Sequence, residues 1–348
     1  MSRKSDNTNM TSAPDGRLGA ATGAWDVRPM LSRDADAMFW MSRYVERAEH
    51  VARLLWVNTN VLVDMGELAA RFEERQWEGI LSILRLDKVS PEEGDARPVS
   101  ERVAAYMTLA QDNPNSIITC LTRARENARS IREVISAEMW ENLNQLYWSI
   151  RGEDAADRFG DSPDDLYRSV MTGSMLFQGL TDQTLAHDQR WLFTQVGKCF
   201  ERIDVTCRVI ATKFGILQDM GPSLEVPIRN IHWMAVLKSC CSIEAYRREN
   251  FGEMDPGRVA NFLILERDFP RSIRYSVAAA HRAIAMIRTG INAGGVDAAE
   301  RILGRLDAQL EFAESGEIEQ SGVPAYLQKI ESSIAAASAA MQRAYFQH

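Results

Sequence analysis

A chain of 348 residues that is 45 % apolar can bury a sizeable core and has the length of about two ordinary domains. Its net charge of −8 and isoelectric point near 5.3 argue against a general nucleic-acid or anionic-membrane binder. No window approaches the ~20 apolar residues of a membrane-spanning helix.

Residues 1–28 are polar and rich in Gly, Ala and Ser, which predicts a flexible tail with no apolar stretch for a signal peptide. Helical periodicity dominates the rest, and alternating β-branched runs are nearly absent, so the chain is predicted all-α. Ser32 is placed to cap a helix over 33–70, with Met30 and Leu31 as a hydrophobic staple. A helix carrying Trp77 follows, then one over 100–110. In Asp112-x-Pro114-x-Ser116-Ile117 the aspartate is positioned to accept backbone N–H bonds, with proline in the first turn. A long helix is predicted from there over 115–150, then a loop over 152–162 and a helix from Pro163 to Gly179. Asp188 caps a helix over 189–214, and Trp233 marks the next. Helices over 258–267, 271–289 and 324–346 complete the series, with Asp268 in the role of Asp112 and Gly290 to Gly295 as an interruption.

The second half repeats the first. Residues 100–117 and 256–273 share eight of eighteen positions at an offset of 156, where composition alone would give about one. The same offset pairs Trp77 with Trp233 and Ile131-Arg132 with Ile287-Arg288. An offset of 155 pairs Glu46-Arg47 with Glu201-Arg202, and Arg53 with Arg208. A tandem duplication of a unit of roughly five helices is therefore expected, with repeats at 30–186 and 187–348.

The repeated element is Glu-Arg-x-(Glu/Asp)-x-x-x-Arg, present as Glu46, Arg47, Glu49, Arg53 and as Glu201, Arg202, Asp204, Arg208. At about 100° per residue, Glu49 lies about −60° and Arg53 about −20° from Glu46, so the acids and the distal arginine share one stripe. The apolar arc of Met41, Tyr44, Ala48, Ala52 and Leu55 centres about 190° away. A solvated face with i,i+3 and i,i+4 ion pairs accounts for one such helix. Two copies keeping the charges while their neighbours differ point to more. Arg47 stands on the shoulder of the apolar arc, where a guanidinium needs a carboxylate from another helix or a bound anion.

A second polar concentration comprises Arg123, Arg125, Glu126, Asn127, Arg129, Arg132 and Glu133, echoed in basic character by Arg271, Arg274, His281, Arg282 and Arg288. Alone it is another solvated face. Turned toward the Glu-Arg helices, it would form a pocket for a carboxylate, a phosphate or a peptide terminus.

No metal or cofactor is expected. None of His50, His187, His232, His281 and His348 has a glutamate three residues before it, and HExxH, GxxxxGK(S/T) and a strand-borne GxGxxG are absent. His50, four residues after Glu46, and His187-Asp188, ahead of the second Glu-Arg helix, are general-base candidates beside a structural role. Cys120, Cys199, Cys207, Cys240 and Cys241 are odd in number and lack CxxC spacing, so buried reduced thiols and a cytoplasmic location are expected. Trp40, Trp56, Trp77, Trp140, Trp148, Trp191 and Trp233 fall at helical spacing and are expected in the core.

The stretches 30–55, 124–144, 179–204, 237–248 and 262–274 resemble the Alpha-E family, a bacterial all-helical domain described as a tandem duplication with a Glu-Arg motif. The resemblance covers nearly all of the chain after the tail. It implies that Glu46, Arg47, Glu201 and Arg202 are the motif residues. By gene association it implies a peptide synthesis or modification system whose other members are circularly permuted ATP-grasp amide ligases and transglutaminase-like papain-fold proteins. It brings no established reaction. Lys198-Cys199-Phe200, ahead of the second Glu-Arg, departs from the family's usual Arg-x-(Leu/Val).

Three functions remain in play. The first is a partner of an ATP-grasp ligase that binds a peptide or amino-acid carboxylate through the Glu-Arg helices, Arg125 and Arg129. The second is an enzyme of amide-bond formation or hydrolysis with Glu46 or Glu201 as general base, which needs a carboxyl pKa moved toward neutrality. The third is a scaffold whose paired charges lock helices together.

Overall fold

The computed structural model describes residues 30–86, 97–152, 155–221, 225–250, 252, 254–288 and 296–346. The predicted tail and the Gly290 to Gly295 interruption lie outside the described residues. Among those residues there are fifteen α-helices and no strand, so the protein is all-α. The first half holds α1 (Ser32–Met65), α2 (Ala69–Ile83), α3 (Val99–Leu109), α4 (Ile117–Ser130), α5 (Ala137–Arg151), α6 (Ala155–Asp161) and α7 (Pro163–Thr184). The second holds α8 (Gln189–Asp219), α9 (Val226–Ser239), α10 (Ile243–Glu249), α11 (Pro256–Leu265), α12 (Ile273–Arg288), α13 (Val296–Glu311), α14 (Ser315–Ser321) and α15 (Val323–Met341), with a closing π turn at Gln342–Phe346.

The long helices α1 and α8, 34 and 31 residues, lie side by side at the centre. α4 and α7 cover α1, while α12 and α15 cover α8. One core cluster draws on both halves: Phe39 meets Phe200 edge-on at 6.0 Å, and Trp77 and Trp233 are both fully buried. Close approach of the two axes depends on Gly197, where a Cβ would stand 2.3 Å from the Phe39 carbonyl oxygen. Ser42 spans the same interface by donating to the Thr194 carbonyl at 2.8 Å.

Several boundaries differ from expectation, each for a local reason. Leu31, not Ser32, occupies the N-cap of α1; no side chain caps the helix, and Leu31 is 62 % exposed, so the expected staple is not formed. α1 ends at Met65 because Gly66 takes φ 56°, a left-handed angle that glycine reaches without penalty. At the start of α4 the capping side chain is Ser116, which accepts from the Thr119 N–H at 3.2 Å; Asp112 is exposed. Ser272 does the same for the Tyr275 N–H at 3.1 Å, so Asp268 is not the cap either. Each hydroxyl donates in turn to a carbonyl six residues back, Ala110 or Glu266.

The long helix expected over 115–150 breaks at residues 131–136, where Ile131 leaves helical geometry (φ −123°, ψ 27°) and Ser136 caps α5. The expected loop over 152–162 contains α6, and α7 runs on past Gly179 to Thr184. Asp188 does cap α8 as expected, accepting from the Arg190 N–H at 2.9 Å, but α8 continues past Phe214 to Asp219. Trp148 is 54 % exposed rather than in the core. Four cysteines are buried and Cys241 is half-buried; burial pushes the Cys120 and Cys240 thiols up to about 12.

Candidate functional site: two crossed Glu-Arg clusters

The polar stripe of α1 does not face solvent. Glu46, Glu49 and Glu201 are at most 2 % exposed, because α1 packs against α4, α7, α8 and α9 and its stripe meets the equivalent stripe of α8. The pairing crosses between the helices. Arg47 grips Glu201 with two bonds, Nε to Oε1 at 2.6 Å and Nη2 to Oε2 at 2.9 Å. Arg202 grips Glu46 with Nε to Oε1 at 2.6 Å and Nη2 to Oε2 at 3.3 Å. Each motif glutamate is thus neutralised by the arginine of the other motif. Two parallel N–H···O bonds on one carboxylate are the strong geometry for such a pair.

Around Glu46 a first cluster closes tightly. Glu49 accepts from Arg53 Nε at 2.7 Å and from Arg271 Nη1 at 3.2 Å. Gln178 of α7 donates to Glu46 Oε2 at 3.3 Å. His50 is buried and neutral: its Nδ1–H donates to the Glu46 carbonyl at 2.8 Å, and its Nε2 accepts from Arg271 at 3.3 Å. Burial, with Arg271 beside the ring, outweighs the two glutamates and holds its pKa below the ordinary value. Burial would raise the Glu46 carboxyl, yet Arg202 and Arg271 outweigh it and hold it below its ordinary value. Glu49, also raised by burial, is brought down to about 2, chiefly by the Arg271 charge and by the charge and hydrogen bond of Arg53.

Glu46, Glu49 and His50 offer ligand atoms within 4.8 Å of one another, a spacing that suits a metal ion. Arg271 Nη1 lies 3.6 Å from Glu46 Oε1, 3.2 Å from Glu49 Oε2 and 3.3 Å from His50 Nε2. Its guanidinium supplies the positive charge that the trio calls for.

Around Glu201 the second cluster is looser. Arg43 adds a bond to Glu201 Oε2 at 3.0 Å, and Arg47 Nη1 also reaches Asn115 Oδ1 at 3.3 Å. Burial raises the Glu201 carboxyl, but Arg47 and then Arg43 draw it well below the usual carboxylate range. Asp204 pairs with Arg208 at 2.8 Å, and Arg208 is also bonded to the Ile83 carbonyl. At the positions matching His50 and Arg271 stand the shorter Val205 and Asn115. A cavity of about 190 Å³ opens here, lined by Arg47, His50, Asn115, Glu201, Asp204 and Arg208, with Arg85 at its mouth. Arg85 is 61 % exposed and lies 3.5 Å from Asp204 and 3.4 Å from Glu331.

The eight motif residues expected at the site thus come together, in two groups. The other candidates do not join them. Arg125 packs between α4 and α5, 4.6 Å over the Tyr147 ring and bonded to Asn144 at 2.8 Å, and Arg129 is exposed. His187 is exposed and stacks on Trp191 at 4.2 Å, while Asp188 is occupied as the cap of α8 and by Arg190. Sequence reasoning passed over Arg43, Arg85, Asn115 and Gln178, and read Arg271 only as part of a basic face. A larger groove of about 1030 Å³, lined by Leu62, Trp77, Ala104, Phe159 and Tyr167 among others, contains none of the candidates.

The Alpha-E family model, described as a predicted alpha-helical domain with a conserved ER motif, matches residues 30–346. The chain belongs to the Alpha-E family. Its relatives include an uncharacterised protein of Mycobacterium bovis and two of Mycobacterium tuberculosis, each 24 % identical over 330 residues. Those matches cover 88 % of this Alpha-E chain and 35 % of each relative, so the chain spans about a third of their length. No solved structure matches it. No helix among the described residues is long and apolar enough to cross a membrane.

Proposed function

We propose that this Alpha-E protein binds the carboxylate end of an amino acid or short peptide in the cavity beside Glu201. It does so as a component of an amide-bond peptide synthesis or modification system, beside a circularly permuted ATP-grasp ligase and a transglutaminase-like protein. The observation that carries the binding half is the cavity's charge and size. Arg43, Arg47, Arg85 and Arg208 face the carboxylates of Glu201, Asp204 and Glu331, an excess of one positive charge. Its 190 Å³ is the share of on the order of six water molecules, enough for a carboxylate with its α-carbon and a small side chain. Asp204 stands ready for an α-ammonium, and Arg85 and Arg208 for the carboxylate.

In this reading the crossed glutamates and arginines lock α1 to α8 and shape one wall of the cavity. Their carboxyls are held low rather than near neutrality, which speaks against Glu46 or Glu201 as a general base at pH 7. The bond-making chemistry then belongs to the partner. The partner half is supported by the family resemblance and by the relatives, which carry the matched stretch within chains about three times as long. We also propose that the two halves descend from one duplicated unit, supported by the repeated spacings and by the reciprocal bonds between related positions.

Calorimetric titration with a short peptide bearing a free or an amidated C-terminus tests the binding half. The free acid should bind and the amide should not. Arg85→Ala, at an exposed position, should weaken binding by about 10-fold or more, the worth of one charge-assisted hydrogen bond. Equal binding of acid and amide would sink the carboxylate reading. Co-purification with a circularly permuted ATP-grasp ligase of the same organism tests the partner half separately.

A further inference from the structure

Lys213 of α8 is a buried cation that faces no buried carboxylate. Its Nζ donates to Gln76 Oε1 at 3.0 Å and to His232 Nδ1 at 3.3 Å. Gln76 Nε2 donates to the same Nδ1 at 2.8 Å. Since Nδ1 accepts twice, the imidazole is neutral and carries its proton on Nε2, which is buried without a partner. Burial and then Lys213 itself push His232 down to about 3, so the ring brings no charge to the site. Burial alone takes Lys213 down to about 8, which still leaves it an ammonium at neutral pH. Leaving such a charge unpaired in an apolar surrounding costs several kcal/mol.

Beside the ammonium lies a cavity of about 30 Å³ between α1, α2, α8 and α9. None of its lining residues is Asp or Glu. Asn58 of α1, which also lines it, is 5 % exposed, and its Nδ2 has no hydrogen-bond partner. Two donors, one of them charged, therefore border a space with no anionic acceptor in it. Apart from Gln76 and the hydroxyl-bearing Thr212 and Ser239, the rest of the lining is apolar, including Val57, Ile80, Val209 and Ile216.

We propose that this cavity is a site for one small monovalent anion of the chloride or bromide class, held by Lys213 Nζ and Asn58 Nδ2. The volume admits one water-sized particle, whose share of the liquid is about 30 Å³. That excludes phosphate, sulfate and a peptide carboxylate. A water molecule would fill the space but leave the ammonium without a counter-charge. A halide supplies that charge, accepts from both donors and tolerates the apolar walls. Because Asn58, Gln76, Lys213 and His232 come from four helices of both halves, the ion would pin the bundle some distance from the Glu-Arg clusters. The proposal is independent of the carboxylate-binding reading.

Melting curves of the full chain at constant ionic strength test it, with sodium gluconate exchanged stepwise for sodium chloride or bromide. The expected result is a saturable rise in Tm of several degrees with either halide over gluconate. Lys213→Met should abolish the difference. Asn58→Asp sets a carboxylate beside the ammonium and should make the protein indifferent to halide while leaving it folded, which keeps the test decisive if Lys213→Met does not fold. Equal Tm values in chloride and gluconate for the native chain would overturn the proposal and leave the space to water. An undiminished halide response in Asn58→Asp or Lys213→Met would overturn it as well.

Discussion

At the scale of single residues, the crossed pairing decides what each charge does. Arg47 sits next to Glu46 in sequence, yet the carboxylate it grips is Glu201, 154 positions away. A double-mutant cycle on Arg47 and Glu201 should return a coupling of about 1.5–3 kcal/mol, whereas Arg47 with Glu46 should return close to zero. Single removal of Arg47 should cost less than the ~3–5 kcal/mol typical of a broken buried pair, because Arg43 still holds Glu201. Chemical denaturation of the four variants would measure all of this. The motif itself was legible from its recurrence, and the need of Arg47 for a partner was legible from its place on the shoulder of the apolar arc. The choice of partner was not, since spacing along one helix ranks i,i+3 and i,i+4 neighbours and is blind to a second helix. Arg271 and Asn115 share one slot of the repeated Asp-x-Pro-x-Ser-Ile, and that difference leaves one cluster filled and the other hollow. The signal lay in the unmatched position of a matched segment.

At the scale of elements, the helices were legible from periodicity and their ends less so. Aspartate and serine both cap helices, and only the backbone turn shows that Ser116 and Ser272 make the bonds while Asp112 stays exposed. The break at 131–136 was hidden because Ile131 to Ile135 holds no glycine or proline. Packing of α1 on α8 leans on Gly197, which periodicity cannot single out from Gly179. Gly197→Ala drives a methyl group into the Phe39 backbone, and should cost about 1–3 kcal/mol or more and weaken the crossed pairs with it. Gly179→Ala meets nothing within 4 Å and, lying inside α7, should raise Tm slightly through helix propensity. Thermal melts of the two single variants would distinguish them.

At the scale of the whole molecule, burying so many carboxylates and imidazoles makes stability fall as the solution turns acid. Glu46, Glu49 and Glu201 sit below the ordinary glutamate value of 4.5 when folded, Glu49 near 2, so the unfolded chain binds their protons more readily. Their contribution is complete above about 4.5 and drains as the pH falls toward about 2. His50 and His232 are also lowered from 6.5, so the unfolded chain takes up their protons first, and the loss begins below that value. Tm should therefore decline gently below about pH 6.5 and steeply below about 4.5, and Glu49→Gln should flatten the steep part. A constant Tm from pH 7 to pH 3 would contradict the charge assignment.

The shared interior also governs how the polypeptide can be divided. A cut in the turn between Thr184 and Gln189 would hand one fragment the acid Glu46 and the other its guanidinium, and would strip the facing sides of both central helices. Neither piece alone would have a dry neighbour for its carboxylates. Each should aggregate or stay loose when made by itself, and the two should recombine when produced together. The chain behaves as a clasp with a hook on each arm, closed only when both arms are present.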